Sequence, residues 1–279
     1  MNPAMDDLQF ERLGPVRRMV KKVILNPAAN YVPAGLVKAL LRFGKSELAA
    51  ANWKDPGGWR SMVISYNGKC RQIADKILVG GGTMPMALRN RRRLAGRIIA
   101  ELIESSARQP VHVLGLGAGP GRIIMDAMLR AKNPSVATLV DISAEAFEFG
   151  RQAAIDEGLD GRVRFIQADV RDVGSMLENP PDLVKMIGIC EYLSDEQLSS
   201  ILSAVSGVMP AGSAIVMNSL SPEHGTDRFF RRVFGLHMLY RDGEQLQSLM
   251  SKYGFGHFTV QAEPLGVYHV IVGRKVKDN

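Results

Sequence analysis

Three glycines, Gly117, Gly119 and Gly121, alternate with other residues directly after the apolar run Val111-His112-Val113-Leu114-Gly115-Leu116. An apolar run of this kind suits a strand buried on both faces, and Arg122 to Arg130 continues with helical periodicity. Glycine tolerates conformations closed to other residues and has no side chain to hold a ligand away. The segment therefore predicts a strand that turns tightly into a helix around a nucleotide-like ligand. A dinucleotide-binding turn needs Gly-x-Gly-x-x-Gly, and here the last position is Arg122. A phosphate-binding loop needs Gly-Lys-Ser/Thr after the glycines, and none follows.

Acidic residues fall where such a ligand would need them. Ala137 to Ile142 reads as a second strand carrying Asp141, 20 residues beyond Gly121, where a carboxylate can accept from both ribose hydroxyls. Val163 to Val170 reads as a third strand carrying Asp169, and Asp182 to Cys190 as a fourth. The tail adds a strand at Ser213 to Leu220, a helix near Glu244 to Tyr253, and a hairpin of His257 to Ala262 with Val267 to Arg274.

From Val111 to the C-terminus this order resembles class I S-adenosylmethionine (SAM) dependent methyltransferases, with Gly117-x-Gly119-x-Gly121 matching their first motif. The resemblance implies a Rossmann-like α/β fold: a seven-stranded sheet, parallel with a C-terminal antiparallel hairpin, helices on both faces, and SAM as co-substrate. It also implies that Asp141 holds the ribose, that Asp169 meets the adenine amino group, and that Ile142 and Val170 flank the adenine ring. Many members carry an acidic residue two positions before the first glycine, near the methionine ammonium, and here that position is Gly115. Two readings stay open: another acceptor or water serves the amine, or the amine is left to react. The second would make the chain a same-fold enzyme using the aminocarboxypropyl part of SAM, by nicotianamine-type transfer or by cyclisation to azetidine-2-carboxylate with release of methylthioadenosine.

Methyl transfer is an in-line displacement that mainly needs alignment, so no signature triad is required. Candidate acceptor-side residues come from the loops after strands four and five. Gly188 lets the chain pass close to the cofactor. Glu191 and Tyr192 follow, in a segment resembling the one after strand four in small-molecule methyltransferases. The Asn/Asp-Pro-Pro-aromatic sequence of amino-methylating nucleic-acid enzymes is absent there; Asn179-Pro180-Pro181-Asp182 precedes strand four. His224, placed in a loop and accessible near neutral pH, is the expected base, and the Tyr240 hydroxyl is expected to orient a substrate. His112 and His269 sit in apolar strands and read as structural.

These elements leave a long N-terminal portion, and the expected organisation is a mostly helical cap or lid over residues 1–105 and a SAM-binding domain over 106–279. The net charge of +7 is uneven: residues 1–110 hold 19 Lys/Arg against 8 Asp/Glu, and the remainder 16 against 20. Without zinc-finger spacing or an RNP-like aromatic pattern, this basic excess reads as solvated helix faces. An anionic or carrier-bound small substrate is compatible with it. Residues 10–25 predict a basic amphipathic helix with Pro15 near its start, and Ala34 to Ala51 a second helix. Such a stripe can lie on a membrane surface, but packing against the catalytic domain is the commoner use and the expected one.

Asp55-Pro-Gly-Gly predicts a turn between Trp53 and Trp59, which read as packing residues. Gly80-Gly81-Gly82 breaks the chain before a helix starting near Met86 and reads as a hinge or an ordinary connector. Within that helix, Asn90-Arg91-Arg92-Arg93 spreads three arginines about 100° apart. By resemblance to members with a basic helix before the glycine motif, Arg91 or Arg93 reaches the cofactor carboxylate; solvation is the alternative. Cys70 and Cys190 are too few and too distant for a disulfide framework or a zinc site, so a reducing cytoplasm is expected and no metal. No apolar run reaches spanning length, and the first seven residues lack the features of a secretion signal.

Overall fold

The computed structural model describes residues 9–276; the reading of the first seven residues falls outside them. The chain divides into two compact units that are not consecutive in sequence. One comprises Met1–Arg93, Leu220–Tyr240 and Ala262–Tyr268; the other Leu94–Ser219, Arg241–Gln261 and His269–Asn279.

The second unit is built on a seven-stranded sheet of β1 (Val111–Leu116), β2 (Ser135–Asp141), β3 (Val163–Gln167), β4 (Leu183–Met186), β5 (Ala214–Leu220), β6 (Phe255–Ala262) and β7 (Tyr268–Lys275). The order is β3-β2-β1-β4-β5-β7-β6. The first five strands are parallel, in register Val113↔Ala137, Val113↔Leu183 and Leu183↔Ala214, and the C-terminal hairpin is antiparallel. Parallel strands covered on both faces must be apolar nearly throughout, and β1, β4 and β5 are mostly hydrophobic, interrupted by His112, Lys185, Asn218 and Ser219. One face closes around Leu114, Leu116, Val184, Met186, Ile215 and Met217, onto which Leu198, Ile201, Leu202 and Val205 of the helix Asp195–Val208 pack with Leu246 and Met250 of the helix Gly243–Ser251. Each such side chain contributes about 1.5–3 kcal/mol on burial. Both helices begin with a capping box, Ser194 with Gln197 and Asp242 with Gln245, which satisfies their first free N–H groups.

Two strands are shorter than the sequence suggests. β3 stops at Gln167 because the Asp169 carboxylate accepts from Arg171 N and starts a 3₁₀ turn over Val170–Ser175. β4 stops at Met186 because Gly188, at φ 88°, turns the chain into a 3₁₀ segment, Cys190–Tyr192.

The first unit is helical. The expected helix from Ala34 to Ala51 is two helices, Ala34–Phe43 and Glu47–Lys54. Ser46 ends the continuity by capping Ala49 N while its hydroxyl donates to Asp75 Oδ1 at 2.6 Å. Of the three glycines at 80–82, two finish the helix Ile73–Gly81, and only Gly82 links it to Thr83–Glu104. A Cβ at Gly82 would lie 2.2 Å from Leu78 O, so this turn accepts nothing larger. Asn90 to Arg93 are therefore mid-helix residues.

The N-terminal helix leaves its apolar stripe unburied. Pro15–Val20 buries nothing, the following π-helical turn Lys21–Leu25 buries only Lys21, and Lys21 Nζ donates to Gly81 O at 2.5 Å. The apolar stripe is left outside, because the inward position is the lysine's.

A buried carboxylate organises the other end of this unit. Glu263, 1% exposed, accepts from the backbone N–H groups of Leu265, Val267 and Tyr268 and from Asn90 Nδ2 at 3.0 Å. Asn90 also bonds the Glu11 backbone in both directions, and Arg89 makes a two-pronged pair with the Glu11 carboxylate. Glu263→Ala strands several buried donors at about 1–3 kcal/mol each. Chemical denaturation of this variant should show a loss of about 3 kcal/mol or more; an unchanged midpoint would show that the carboxylate holds nothing.

Candidate functional site

In an open α/β sheet the ligand crevice lies beyond the carboxyl ends of the strands, where the strand order reverses. Here that place is the end of β1 and β4, and the Gly117 to Gly121 loop and the Gly188 segment emerge there. All three loop glycines have positive φ: 53°, 52° and 78° at 117, 119 and 121. Space is restricted as well. A Cβ at Gly117 would lie 2.2 Å from Ile189 Cγ2, and one at Gly121 2.3 Å from Leu139 Cδ1. The loop thus owes its glycines first to conformation and packing.

Asp141, at the end of β2, fastens this loop. Its Oδ2 accepts from Gly119 N at 2.7 Å and its Oδ1 from Ser143 N at 3.0 Å. A carboxylate has about four lone-pair positions, so two remain for a ligand. Beside it Ile142 is 72% exposed, an apolar side chain left open next to polar groups.

Asp169 is held by its neighbour: Arg171 donates to Oδ1 through Nε at 2.9 Å and to Oδ2 through Nη2 at 2.5 Å. These bonds, with the Arg171 N–H, hold the Asp169 carboxyl down to about 2. Val170 is half-buried behind it. The sequence reading did not include Arg171.

Gly115 lies inside β1, where a Cβ would meet Ile124 Cδ1 at 2.6 Å and Leu139 Cδ2 at 2.9 Å. A carboxylate at this position would displace the packing, which accounts for the missing acid.

After β4, Gly188 N donates to Asn218 Oδ1 at 2.8 Å, and Asn218 Nδ2 lies 3.4 Å from Glu191 Oε2. Glu191 is buried and Tyr192 half-buried. Arg241 clamps the same segment, donating to Cys190 O at 2.8 Å, Leu193 O at 2.6 Å and Asp195 Oδ1. Burial, with Glu191 beside it, pushes the Cys190 thiol up to about 12, so it is inert at neutral pH. Asn218 and Arg241 are the positioning residues that sequence reasoning missed. Single polar residues next to apolar strands carry no spacing signal.

Arg91 and Arg93 are engaged within the first unit. Arg91, 1% exposed, packs its guanidinium 4.4 Å from the Tyr268 ring centre and reaches Tyr66 Oη at 3.2 Å. Arg93 pairs with Glu11 Oε1 at 3.3 Å. Among the described residues no His/Cys/Asp/Glu group could hold a metal ion.

His224 differs from the accessible base expected there: it is fully buried. Thr226 N–H donates to Nδ1 at 3.2 Å, which leaves the proton on Nε2 to be donated to Tyr240 Oη at 3.0 Å; Tyr240 in turn donates to Asp227 Oδ1 at 2.6 Å. Burial, partly opposed by Asp227, lowers the imidazole from 6.5 to about 4. The unfolded chain therefore binds a proton between these values that the folded chain does not. The stability this contributes is complete above pH 6.5 and is lost as pH falls through 4; the gap corresponds to about 3 kcal/mol. Thermal melts from pH 7 to pH 4 should fall more steeply for the wild type than for His224→Gln. Equal slopes would contradict a buried neutral histidine.

The chain matches the model of a protein family described as "Putative methyltransferase" over residues 73–275. It is 29% identical over 119 residues to the tRNA 5-carboxymethoxyuridine methyltransferase of Escherichia coli K12, an alignment covering 43% of this chain and 42% of that enzyme. The chain thus spans less than half the length of that relative. A solved structure described as a possible exported protein from Bordetella parapertussis superimposes with a TM-score of 0.72 at 15% identity, covering 99% of this chain and 100% of that one. Magnesium protoporphyrin IX methyltransferase from Synechocystis PCC 6803 with bound S-adenosylhomocysteine gives 0.58 at 12% identity, covering 85% and 99%. With the family match covering most of its length, the chain belongs to this family of putative methyltransferases, and it shares its α/β fold with that solved methyltransferase.

Proposed function

We propose that this enzyme methylates a small-molecule acceptor and holds SAM on Gly117, Gly119, Gly121, Asp141, Ile142, Asp169, Val170 and Gly188. The Asp141 carboxylate carries the reading. It is oriented by Gly119 and Ser143, with acceptor capacity left for two ribose hydroxyls. Ile142 offers an open apolar surface to an adenine ring, and Asp169 an acceptor for its amino group. Bound SAM supplies a methyl group already activated by its sulfonium, so the protein's contribution is alignment and exclusion of water.

Asn218 does positioning work in this reading: it anchors Gly188 N and reaches Glu191, fixing the segment that bears Tyr192. Within the first unit, the Tyr240 hydroxyl is held between His224 and Asp227, and the histidine has both nitrogens occupied. With Gly115 closed to a carboxylate by packing, the cofactor amine is served by another acceptor or water, which is compatible with ordinary methyl transfer.

A small acceptor is favoured over nucleic acid because Gly188-Ile189-Cys190-Glu191-Tyr192 stands where amino-methylating nucleic-acid enzymes carry their Pro-Pro-aromatic sequence. Several basic side chains of the first unit are also spent inside it, Arg89 and Arg91 by burial and Arg93 on Glu11. The tRNA-modifying relative makes RNA the outcome to exclude. Methyl-labelled SAM is incubated with the enzyme and either total tRNA or an RNA-free low-molecular-weight cell extract. Label should enter the extract and leave S-adenosylhomocysteine. Label in tRNA would overturn the small-molecule reading, and methylthioadenosine formed from SAM alone would overturn methyl transfer.

A further inference from the structure

The N-terminal helices of the first unit display an outer surface that a protein in water has no reason to keep. Val16, Met19, Val20 and Val23 recur at i, i+3, i+4 and i+7, the spacing of a single helical stripe, and all are exposed, Met19 and Val23 at 65% each. The helix turns Lys21 inward instead, onto Gly81 O. On the helix Ala34–Phe43 the exposed apolar residues are Leu36, Leu40 and Phe43, at i, i+4 and i+7, with Phe43 at 90%. Ile73 and Ile77 form a third such pair on Ile73–Gly81, a helix that receives Lys21 near its end and packs Ala74 beside Gly44 near its start. Scattered exposed apolar residues are ordinary, but stripes on three neighbouring helices are not.

Charge selects the occupant. From Pro15 to Lys45 the chain has seven basic residues and no acidic one. A groove on the first of these helices is lined by Leu13, Pro15 and Met19 together with Arg18 and Lys22. Apolar side chains flanked by cations that make no ion pair among the described residues match a bilayer surface, where acyl chains take the former and anionic headgroups the latter. A second copy of the chain would bring the same positive charge against itself.

We propose that the face formed by residues 15–45 and the helix Ile73–Gly81 docks on an anionic membrane surface, lying in the interface without spanning it. The inference is independent of the methyl acceptor. No described helix is long and apolar enough to cross a membrane; interfacial docking needs only an exposed apolar stripe with basic flanks.

Co-sedimentation of the full chain with vesicles tests this. The wild type should partition onto phosphatidylcholine vesicles containing phosphatidylglycerol, and much less onto phosphatidylcholine alone. Met19→Asp with Val23→Asp should weaken partition by about tenfold or more, since two apolar side chains are lost from the interface. Arg18→Glu with Lys22→Glu should weaken it by about fivefold or more for each charge. Both sites are exposed, so circular dichroism melts should be unchanged; if the first pair unfolds the chain, Leu40→Glu on the neighbouring helix replaces it. Three results would overturn the proposal: a wild type that stays in the supernatant with anionic vesicles, partition unaffected by the apolar substitutions, or a dimer in light scattering that the same substitutions split.

Discussion

The bond from Gly119 N–H to the Asp141 carboxylate joins the turn after β1 to the end of β2, and the candidate cofactor site depends on it. It acts with Ala118 N–H to Val140 O and Gly121 N–H to Ala118 O to order a loop of three positive-φ glycines, residues that lose more freedom on ordering than any other. The same carboxylate takes Ser143 N–H, and Ser143 Oγ caps the helix Ala144–Asp156 by accepting from Ala146 N. One side chain thus orders the glycine loop and the start of the next helix while keeping acceptor capacity for a ligand. Parallel strands buried on both faces supply the rigid frame that makes such placement repeatable.

Polar economy explains much of the rest. Beyond its one 3₁₀ turn, the segment after β4 has backbone groups taken up by single side chains, Asn218 on Gly188 and Arg241 on the carbonyls of Cys190 and Leu193. In the first unit Glu263, Asn90 and Arg89 do the same for segments far apart in sequence. Buried charges of this kind are tolerated because every removal would leave a partner stranded. Arg91 and Arg93, read from sequence as part of a basic run, and Arg89 beside them each engage partners within the first unit, so position in a charge run says little about burial.

The parts of the fold governed by local chemistry could be read directly. The strand-glycine-helix passage, the strands leading to Asp141 and Asp169, the capping box at Ser194 and the C-terminal hairpin all stand within a few residues of where periodicity and turn residues put them. What could not be read depends on distant partners. Nothing near His224 announces that Thr226 and Tyr240 will occupy both its nitrogens, and nothing near Lys21 announces that a lysine will face inward while Val16, Met19 and Val23 face out. The return of Leu220–Tyr240 and Ala262–Tyr268 to the N-terminal helices has the same character. Amphipathic pattern identifies a helix's faces but not which of them the fold will cover.

The central claim is that the Asp141 carboxylate is the ribose anchor of a SAM site. Calorimetric titration of S-adenosylhomocysteine into the wild type and into Asp141→Ala, with folding verified by circular dichroism, tests it most directly. Loss of charged hydrogen bonds to the ribose should weaken binding by about 1.5–3 kcal/mol, or about 10- to 150-fold. Equal affinity in the two folded proteins, or no binding to the wild type, would contradict it.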